Sequence, residues 1–256
     1  MSLPTVDVMI PVLNEAHVLE KSVETVREFC TANLPYQWRV VVVDNGSTDG
    51  TQDVAARLKA EFPADVDFYH LSERGRGRAL RHAWTRSNAD VCCYMDVDLS
   101  TELAALPKIV DAILTGGCDV ATGSRLQKGK SKVTRSRKRY IISRCYNILV
   151  RRVLGIHFSD AQCGFKAVSR RAIERIVPQI KDQTWFFDTE LLVLAEKQCY
   201  RIGDIPVRWI EDDDSRVKIA KTAWDDIKGV IRLRILLWQW WFGAGDPPKQ
   251  IGRAHV

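Results

Sequence analysis

Two carboxylates one residue apart, Asp96 and Asp98, follow the apolar stretch 91–95. This stretch has the composition of a strand buried on both faces, so both acids are expected where that strand ends. In open α/β sheets, ligands bind at the carboxyl ends of the strands. Two hard oxygen ligands there suit Mg²⁺ or Mn²⁺, which keeps several waters and takes its other ligands from a substrate's phosphates. A plain strand end before a helix cap at Ser100 or Thr101 is the alternative.

Other charged residues follow neighbouring apolar runs. Asp44 comes directly after the run 39–43, and Glu15 lies just past the run 6–12. An ordinary helix-start acid, favoured by the helix dipole, is the alternative for Glu15. The run 73–78 brings two glycines and three arginines to the start of a helical pattern, which indicates either a phosphate-facing loop or an exposed basic loop. Carboxylates and cations are therefore expected at one edge of a sheet.

Strand-like and helical patterns alternate along the chain. Strands are predicted at 6–12, 39–43, 66–71, 91–96, 120–123 and 201–207, and helices over 18–29, 52–61, 79–87, 103–114, 140–154, 185–195 and 222–241, with an irregular segment at 159–165. This alternation predicts an α/β fold, a Rossmann-like, mostly parallel sheet with right-handed crossovers and flanking helices. The first strand is not followed by G-x-G-x-x-G, which argues against a dinucleotide site.

Composition indicates an ordinary globular protein, since 46% of the 256 residues are hydrophobic and 27% are charged. The net charge of +6 is uneven: residues 1–126 hold 12 Lys+Arg against 18 Asp+Glu, and residues 127–256 hold 26 against 14. The first half therefore suits cation binding and the second half suits contact with anions. A nucleic-acid-binding protein that uses the basic half is the alternative from another class, and the paired carboxylates oppose it.

Cysteine usage indicates the compartment. The seven cysteines form no C-x-x-C pair, which favours reduced thiols and a cytoplasmic location. The chain enters its first predicted strand at once, so no signal peptide is expected. The apolar run 235–242 is much shorter than the roughly 20 residues that a spanning helix needs.

Seven short motifs occur in a fixed order. They lie at residues 11–15 (Pro-Val-Leu-Asn-Glu), 43–51 (Val-Asp-Asn-Gly-Ser-Thr-Asp-Gly-Thr), 96–98 (Asp-Val-Asp), 123–125 (Gly-Ser-Arg), 160–166 (Asp-Ala-Gln-Cys-Gly-Phe-Lys), 187–191 (Phe-Asp-Thr-Glu-Leu) and 205–207 (Ile-Pro-Val). Together they resemble the family 2 glycosyltransferases, which have the GT-A fold, and within them the dolichyl- and polyprenyl-phosphate sugar synthases. The resemblance covers residues 4–220. It departs at Asn45, where many relatives carry a second Asp, and at Ser100, where some mannose-phosphate-lipid synthases carry Gln.

Carried to matching positions, the resemblance implies a site for a nucleotide sugar. Pro11, Glu15 and Asp44 would line the nucleoside pocket. Asp96 would hold the ribose and the metal, Mg²⁺ or Mn²⁺, and Asp98 would hold the metal. The resemblance leaves Ser100 open as a third metal ligand and leaves the identity of the sugar open.

Arg125 is expected to hold phosphates, a task that suits a bidentate guanidinium. The segment 211–218 resembles a phosphate-gripping loop, with Ser215, Arg216 and Lys218 near its end. The alternative is that the acidic residues 211–214, which open this segment, form only a solvated turn.

The resemblance implies an inverting, metal-dependent transfer from a nucleotide sugar to a polyprenyl phosphate. UDP-glucose is the first expected donor and GDP-mannose the second. In many family 2 enzymes a carboxylate near Asp188 and Glu190 activates a hydroxyl acceptor, so such a transferase is the rival. A phosphate acceptor needs no base, because its second pKa of about 6 leaves it largely ionised at neutral pH.

Two segments of the second half suit an anionic membrane surface. Residues 128–139 hold seven cations and no acid, which indicates a mobile loop that meets anionic lipid or only solvent. The helix at 222–241 places Trp224, Ile227, Ile231, Ile235 and Trp238 at helical intervals among cations, as is typical of a bilayer interface. Packing on the catalytic domain or on a second subunit, as in a homodimer, is the alternative for this helix.

These patterns divide the chain into a catalytic GT-A domain at 1–220, with a basic mobile loop at 127–139, an amphipathic helix at 221–243 and a disordered tail at 244–256. The expected location is cytoplasmic, at the inner face of the cell membrane. Nucleotide sugar, polyprenyl phosphate and the anionic membrane surface are the expected partners, without nucleic acid.

Overall fold

The computed structural model describes residues 2–127, 129–134, 137–210 and 219–242. Within helices, only the backbone is described for residues 137–140, 219–221 and 223.

The described residues form nine strands and eight α-helices. The strands are β1 (Thr5–Val12), β2 (Gln37–Asn45), β3 (Val66–Leu71), β4 (Val91–Met95), β5 (Val120–Ser124), β6 (Lys132–Thr134), β7 (Phe165–Ser169), β8 (Ile202–Pro206) and β9 (Arg208–Ile210). The helices are α1 (Ala16–Asn33), α2 (Thr51–Glu61), α3 (Arg76–Arg86), α4 (Leu106–Leu114), α5 (Arg137–Leu154), α6 (Arg170–Arg175), α7 (Phe187–Lys197) and α8 (Ile219–Trp241).

The central sheet has the strand order β3, β2, β1, β4, β7, β5, β8. All of its neighbouring strands are parallel except that β7 runs antiparallel to both β4 and β5. The mostly parallel sheet predicted from the sequence is therefore confirmed. Strands β6 and β9 form a small parallel sheet of their own.

The antiparallel strand β7 is a finding that the sequence patterns did not predict. An irregular segment was expected up to residue 165, and no strand was expected after it. Lys166 is the second residue of β7 and is fully buried, where an unpaired lysine is almost never found. Asp188, which lies in α7, compensates the charge of Lys166. A sequence pattern does not show this pairing between two distant elements.

Helices cover both faces of the sheet because the strand residues alternate between two cores. In β2, Val41 and Val43 belong to the core under α3 and α7, whereas Val40 and Val42 belong to the core under α1, α2 and α4. Each fully buried valine or leucine contributes roughly 1.5–3 kcal/mol of transfer free energy. Runs of valine therefore mark strands that are buried on both faces.

The carboxyl ends of β1, β2, β4 and β5 meet at one edge of the sheet. The loops that leave these strands form the walls of a single region, where ligands bind in this class of fold. Helix α3 begins at Arg76, one turn earlier than the sequence pattern predicted, so it reaches this edge. Thr101 bridges to Trp209 of β9, which places the small sheet beside the loop after β4.

Candidate active site

Asp96 is the first residue after β4, and its carboxylate is held on two sides. Its Oδ1 accepts a hydrogen bond from Arg76 Nη2 at 2.8 Å. On the other side, a Cβ atom built on Gly164 would lie 1.8 Å from Asp96 Oδ2, so a larger residue would displace the carboxylate. The Asp96 side chain is still 41% exposed. It is therefore oriented by its neighbours and open to a ligand.

Arg76 joins two carboxylates across the site. Its Nη2 binds Asp96, and its Nη1 donates to Asp188 Oδ2 at 2.6 Å. The guanidinium carbon lies 4.8 Å from the ring centre of Tyr94 and 5.0 Å from that of Trp185. Burial lowers the pKa of Arg76, but the two carboxylates raise it by more, so the guanidinium stays charged. The basic loop predicted from the sequence thus turns this arginine inward.

Asp188 lies in the first turn of α7 and is buried among donors. The Tyr94 hydroxyl donates to its Oδ1 at 2.5 Å, and Lys166 Nζ lies 3.5 Å from the same oxygen. Burial raises the pKa of Asp188, but the charges of Lys166 and Arg76 outweigh burial and hold the pKa below its ordinary value. Asp188 is therefore an ionised counter-ion that accepts a proton poorly.

Glu190 lies only two residues further along α7, yet its carboxylate points elsewhere. Successive helix residues are rotated by about 100°, so the side chains of Asp188 and Glu190 leave the helix on nearly opposite sides. Glu190 Oε2 accepts hydrogen bonds from the Asp182 backbone N–H at 2.9 Å and from Arg232 Nη2 at 2.5 Å. Burial raises the pKa of Glu190. The structure thus places Glu190 at the contact with α8 and does not bring it to Asp96.

Asp98 lies in an exposed turn after β4. Its Oδ1 accepts a hydrogen bond from the Ser100 backbone N–H at 2.9 Å, and Leu99 between them has a positive φ of 52°. A left-handed conformation is uncommon for leucine and indicates a backbone fixed by its surroundings. The Ser100 carbonyl accepts a hydrogen bond from the Ile210 N–H at 2.9 Å. The turn that presents Asp98 is therefore tied to β9.

The residues after β4 fit a divalent metal that takes most of its ligands from elsewhere. Asp96 and Asp98 supply carboxylate oxygens at an accessible edge, and the turn also carries Ser100. The described residues contain no cluster of three His, Cys, Asp or Glu that would hold a metal without other ligands. Mg²⁺ is commonly bound by one or two carboxylates together with substrate phosphates and waters. The donor set matches this mode.

Arg125 follows β5 and pairs with the buried Asp160. Its Nε and Nη2 donate to the two Asp160 oxygens at 2.7 and 3.0 Å, and its backbone N–H donates as well. Burial raises the pKa of Asp160, but Arg125 outweighs it and holds that pKa below its ordinary value. A phosphate near Arg125 would therefore share the guanidinium with Asp160. The other expected phosphate contacts lie outside the described residues: Ser215, Arg216 and Lys218.

The expected nucleoside pocket lies at the ends of β1 and β2. Pro11 is buried in β1, and the half-buried Glu15 directly precedes α1. Asp44 is fully buried; its Oδ1 accepts a hydrogen bond from the Ser47 N–H at 3.1 Å, and its Oδ2 lies 2.7 Å from His70 Nδ1. His70 is partly exposed and covers this carboxylate.

Three residues of the site were not singled out by sequence patterns: Arg76, Lys166 and His70. A lysine within the short apolar run 165–168 is a usable signal, because a buried lysine requires a carboxylate partner. No comparable signal distinguishes Arg76 from the other arginines of its loop.

Comparisons with known proteins agree with this geometry. The family model described as Glycosyl transferase family 2 matches residues 7–177. The glycosyltransferase AglD of Haloferax volcanii is 37% identical over 238 residues, which are 92% of this chain and 37% of that protein. This chain therefore spans little more than a third of that relative. A dolichyl-phosphate beta-glucosyltransferase of Saccharomyces cerevisiae is 28% identical over 246 residues, covering 89% of this chain and 73% of the yeast protein.

Solved structures share the fold. Glucosyl-3-phosphoglycerate synthase from Mycobacterium tuberculosis, in complex with Mn²⁺, UDP and phosphoglyceric acid, matches with a TM-score of 0.67 and 18% identity, over 90% of this chain and 78% of that one. The likeness shows the GT-A-like glycosyltransferase architecture that the motifs implied. The family match over residues 7–177, which is well over half of the chain, establishes that the chain belongs to glycosyl transferase family 2.

Proposed function

We propose that this chain transfers glucose from UDP-glucose to a polyprenyl phosphate, with inversion at the anomeric carbon. The yeast relative is named a dolichyl-phosphate beta-glucosyltransferase, which supports both the sugar and the acceptor class. The matched synthase binds UDP together with Mn²⁺, which supports the donor nucleotide and the metal. GDP-mannose is the second candidate donor.

The pairing of Asp188 with Arg76 and Lys166 is the observation that carries the choice of acceptor. A hydroxyl acceptor needs a base to remove its proton, and general-base assistance contributes about 10²- to 10⁴-fold. Asp188 is the carboxylate of α7 that reaches the site, and Lys166 and Arg76 keep its pKa low. Glu190, the other candidate base, faces α8. A phosphate acceptor fits this arrangement because it arrives already ionised.

The reaction is then a single displacement. An oxygen of the acceptor phosphate forms a bond to the anomeric carbon while the bond from that carbon to the donor diphosphate breaks. The electron pair of the broken bond leaves with the nucleoside diphosphate. Within the chain, Arg76 and the close approach of Gly164 orient the Asp96 carboxylate, which would meet the donor.

A divalent metal, when bound, would neutralise the departing diphosphate. Asp96 and Asp98 would hold it, and the Ser100 hydroxyl is the candidate third protein ligand. The Ser100 backbone N–H fixes the orientation of the Asp98 carboxylate. Arg125 would contribute positive charge near the phosphates while it remains paired with Asp160.

An apolar surface supports a location at a bilayer. Eleven exposed large apolar side chains lie on α5, on α8 and directly after α8: Ile141, Ile142, Ile148, Leu149, Trp224, Ile227, Ile231, Ile235, Trp238, Trp241 and Phe242. We refer to these side chains as the apolar surface. The two helices pack against each other, so they present it from neighbouring elements. A polyprenyl chain is insoluble, and its phosphate must be met where the lipid is.

Cations accompany the apolar surface, which suits an anionic leaflet. Arg151 and Arg152 are exposed near the end of α5, and Lys228 and Arg234 are exposed on α8. Basic residues near an anionic membrane surface each contribute about 1 kcal/mol to binding. Among the residues that the structure describes, none of the helices is sufficiently long and apolar to cross a membrane. Peripheral binding at the inner face of the cell membrane is the proposed location.

Product analysis tests the proposal. The protein is incubated with labelled UDP-glucose or GDP-mannose, with a polyprenyl phosphate or a soluble sugar as acceptor, and with or without Mn²⁺. We expect label in the lipid extract only with UDP-glucose, polyprenyl phosphate and Mn²⁺ together. Label from GDP-mannose would assign the second donor. Transfer to the sugar alone would contradict the phosphate acceptor and favour the hydroxyl-acceptor transferase.

A further inference from the structure

Residues 160–164 connect the charged groups of the site, and we refer to them as the active-site segment. Asp160, the first residue of this segment, accepts two hydrogen bonds from the Arg125 side chain and one from its backbone N–H. The backbone carbonyl of Cys163 accepts a hydrogen bond from Lys166 Nζ at 2.6 Å. Gly164, the last residue of the segment, lies directly against the carboxylate of Asp96 and confines it. A displacement of this short segment would therefore disturb the anion-binding arginine, the counter-ion network and the metal-facing carboxylate together.

Side chains from two helices fix the active-site segment, which lies outside every strand and helix of the described structure. Asn147 of α5 accepts a hydrogen bond from the Ala161 backbone N–H at 2.8 Å. Asp226 of α8 accepts one from Gln162 Nε2 at 2.6 Å. Asn147 and Asp226 are each only 4% exposed. The two helices that carry the apolar surface thus each hold the segment by a hydrogen bond to a buried side chain.

Packing alone does not account for Asp226. Val230 and Leu233 already bury the inner face of α8, and Gly229 lies directly against the Phe186 ring. The Oδ1 atom of Asp226 is buried and has no hydrogen-bond partner among the described residues. A buried carboxylate with an unsatisfied oxygen costs free energy. The hydrogen bond from Gln162 is the polar contact that the Asp226 side chain makes among the described residues.

We propose that Asp226, together with Asn147, is a positioning residue that holds the active-site segment in the geometry that transfer requires. Helix α8 is then part of the catalytic apparatus through one side-chain contact, in addition to carrying the apolar surface. The inference rests on the proposed function only in that the activity assay uses the proposed substrates. That Asp226 and Asn147 hold the active-site segment does not depend on which substrates are used.

Four variants separate positioning from general stability. Asp226→Leu removes the acceptor at similar size, and Gln162→Leu removes the donor. Asp226→Asn keeps an acceptor oxygen, and Asp225→Leu alters the exposed neighbour on the same helix as a matched control. Each full-length protein is checked for folding by circular dichroism. Hydrogen exchange of the active-site segment, the affinity for UDP with Mn²⁺, and kcat and KM for transfer are then measured.

We expect Asp226→Leu and Gln162→Leu to speed amide exchange in the active-site segment while exchange in β1 and β4 stays as in the wild type. In both variants kcat should fall by roughly tenfold or more, because displacements of about 1 Å are costly in catalysis. The double variant should be no slower than either single variant. Asp226→Asn and Asp225→Leu should both keep kcat near the wild-type value.

A folded Asp226→Leu protein with wild-type exchange in the segment and wild-type kcat would overturn the inference, as would an equal loss in Asp225→Leu. If Asp226→Leu does not fold, Gln162→Leu decides by the same criteria. If the wild type transfers no sugar, the proposed function fails, and the exchange and UDP–Mn²⁺ affinity measurements still judge the positioning role on their own.

Discussion

Replacement of Asp226 by Asn should change how the stability of the protein depends on pH. Burial raises the pKa of the Asp226 carboxyl from its ordinary value of 3.8 to about 6. The hydrogen bond from Gln162 opposes this shift, and the nearby carboxylates of Asp182 and Asp225 add to it. The folded protein therefore holds this proton at a pH where the unfolded chain has already lost it.

The sign and size of the effect follow from this difference in pKa. Between about pH 4 and pH 6 the folded state binds more protons at this group than the unfolded state, so stability falls as the pH rises through that window. A shift of about 2 pH units corresponds to about 3 kcal/mol. Asparagine does not ionise and avoids this loss. Any cost of placing an amide in the buried site is the same at every pH.

Urea unfolding of the wild type and Asp226→Asn from about pH 4 to pH 7 measures the effect. We expect the free energy of unfolding of the variant, relative to the wild type, to increase by about 2–3 kcal/mol over this range. Asp225→Asn, on the exposed side of α8, serves as the matched control and should show a much smaller change, because the Asp225 charge is the least of the causes that raise the pKa of Asp226. A difference between Asp226→Asn and wild type that is constant with pH would refute the assignment of a buried, high-pKa carboxyl.

Three further outcomes are expected. Gly164→Ala should weaken Mn²⁺ binding in titration calorimetry by roughly tenfold or more, because the new methyl group would collide with Asp96; unchanged affinity would remove Asp96 from the metal site. Glu190→Gln should lower kcat by less than about tenfold, whereas a loss of about three decades in a folded protein would identify Glu190 as the base. Ile231→Ser with Ile235→Ser should reduce flotation with anionic vesicles, since these residues belong to the apolar surface; undiminished flotation together with loss of a dimer in light scattering would assign that surface to a second subunit.

The inner parallel strands of the sheet were predictable because they are buried on both faces. Val40 to Val43 form a continuous apolar run, and residues 91–95 form another, so burial itself is visible in the sequence. Strand β7 was not predictable in the same way, because Lys166 interrupts its pattern. The buried lysine is stabilised by Asp188, whose position depends on how α7 packs.

Site residues were predictable where the local sequence alone places them, as it does for residues that directly follow a strand. Asp96 and Asp98 follow a strand, so their arrival at the sheet edge is dictated locally. The roles of Asp188 and Glu190 were not separable from sequence, because the choice between two sides of α7 depends on where that helix begins and on what it contacts. The inward turn of Arg76 likewise depends on two carboxylates from distant parts of the chain.

The pH dependence of kcat with two acceptors tests the central claim, that the acceptor supplies its own charge and the enzyme supplies no base. Transfer is measured with a polyprenyl phosphate and with its phosphonate analogue, whose second ionisation occurs at higher pH. We expect kcat for the phosphate to rise to a plateau with an apparent pKa near 6, and the rising limb to move to higher pH for the phosphonate. A limb that stays at the same pH for both acceptors would show that a group of the enzyme removes a proton, and would contradict the account.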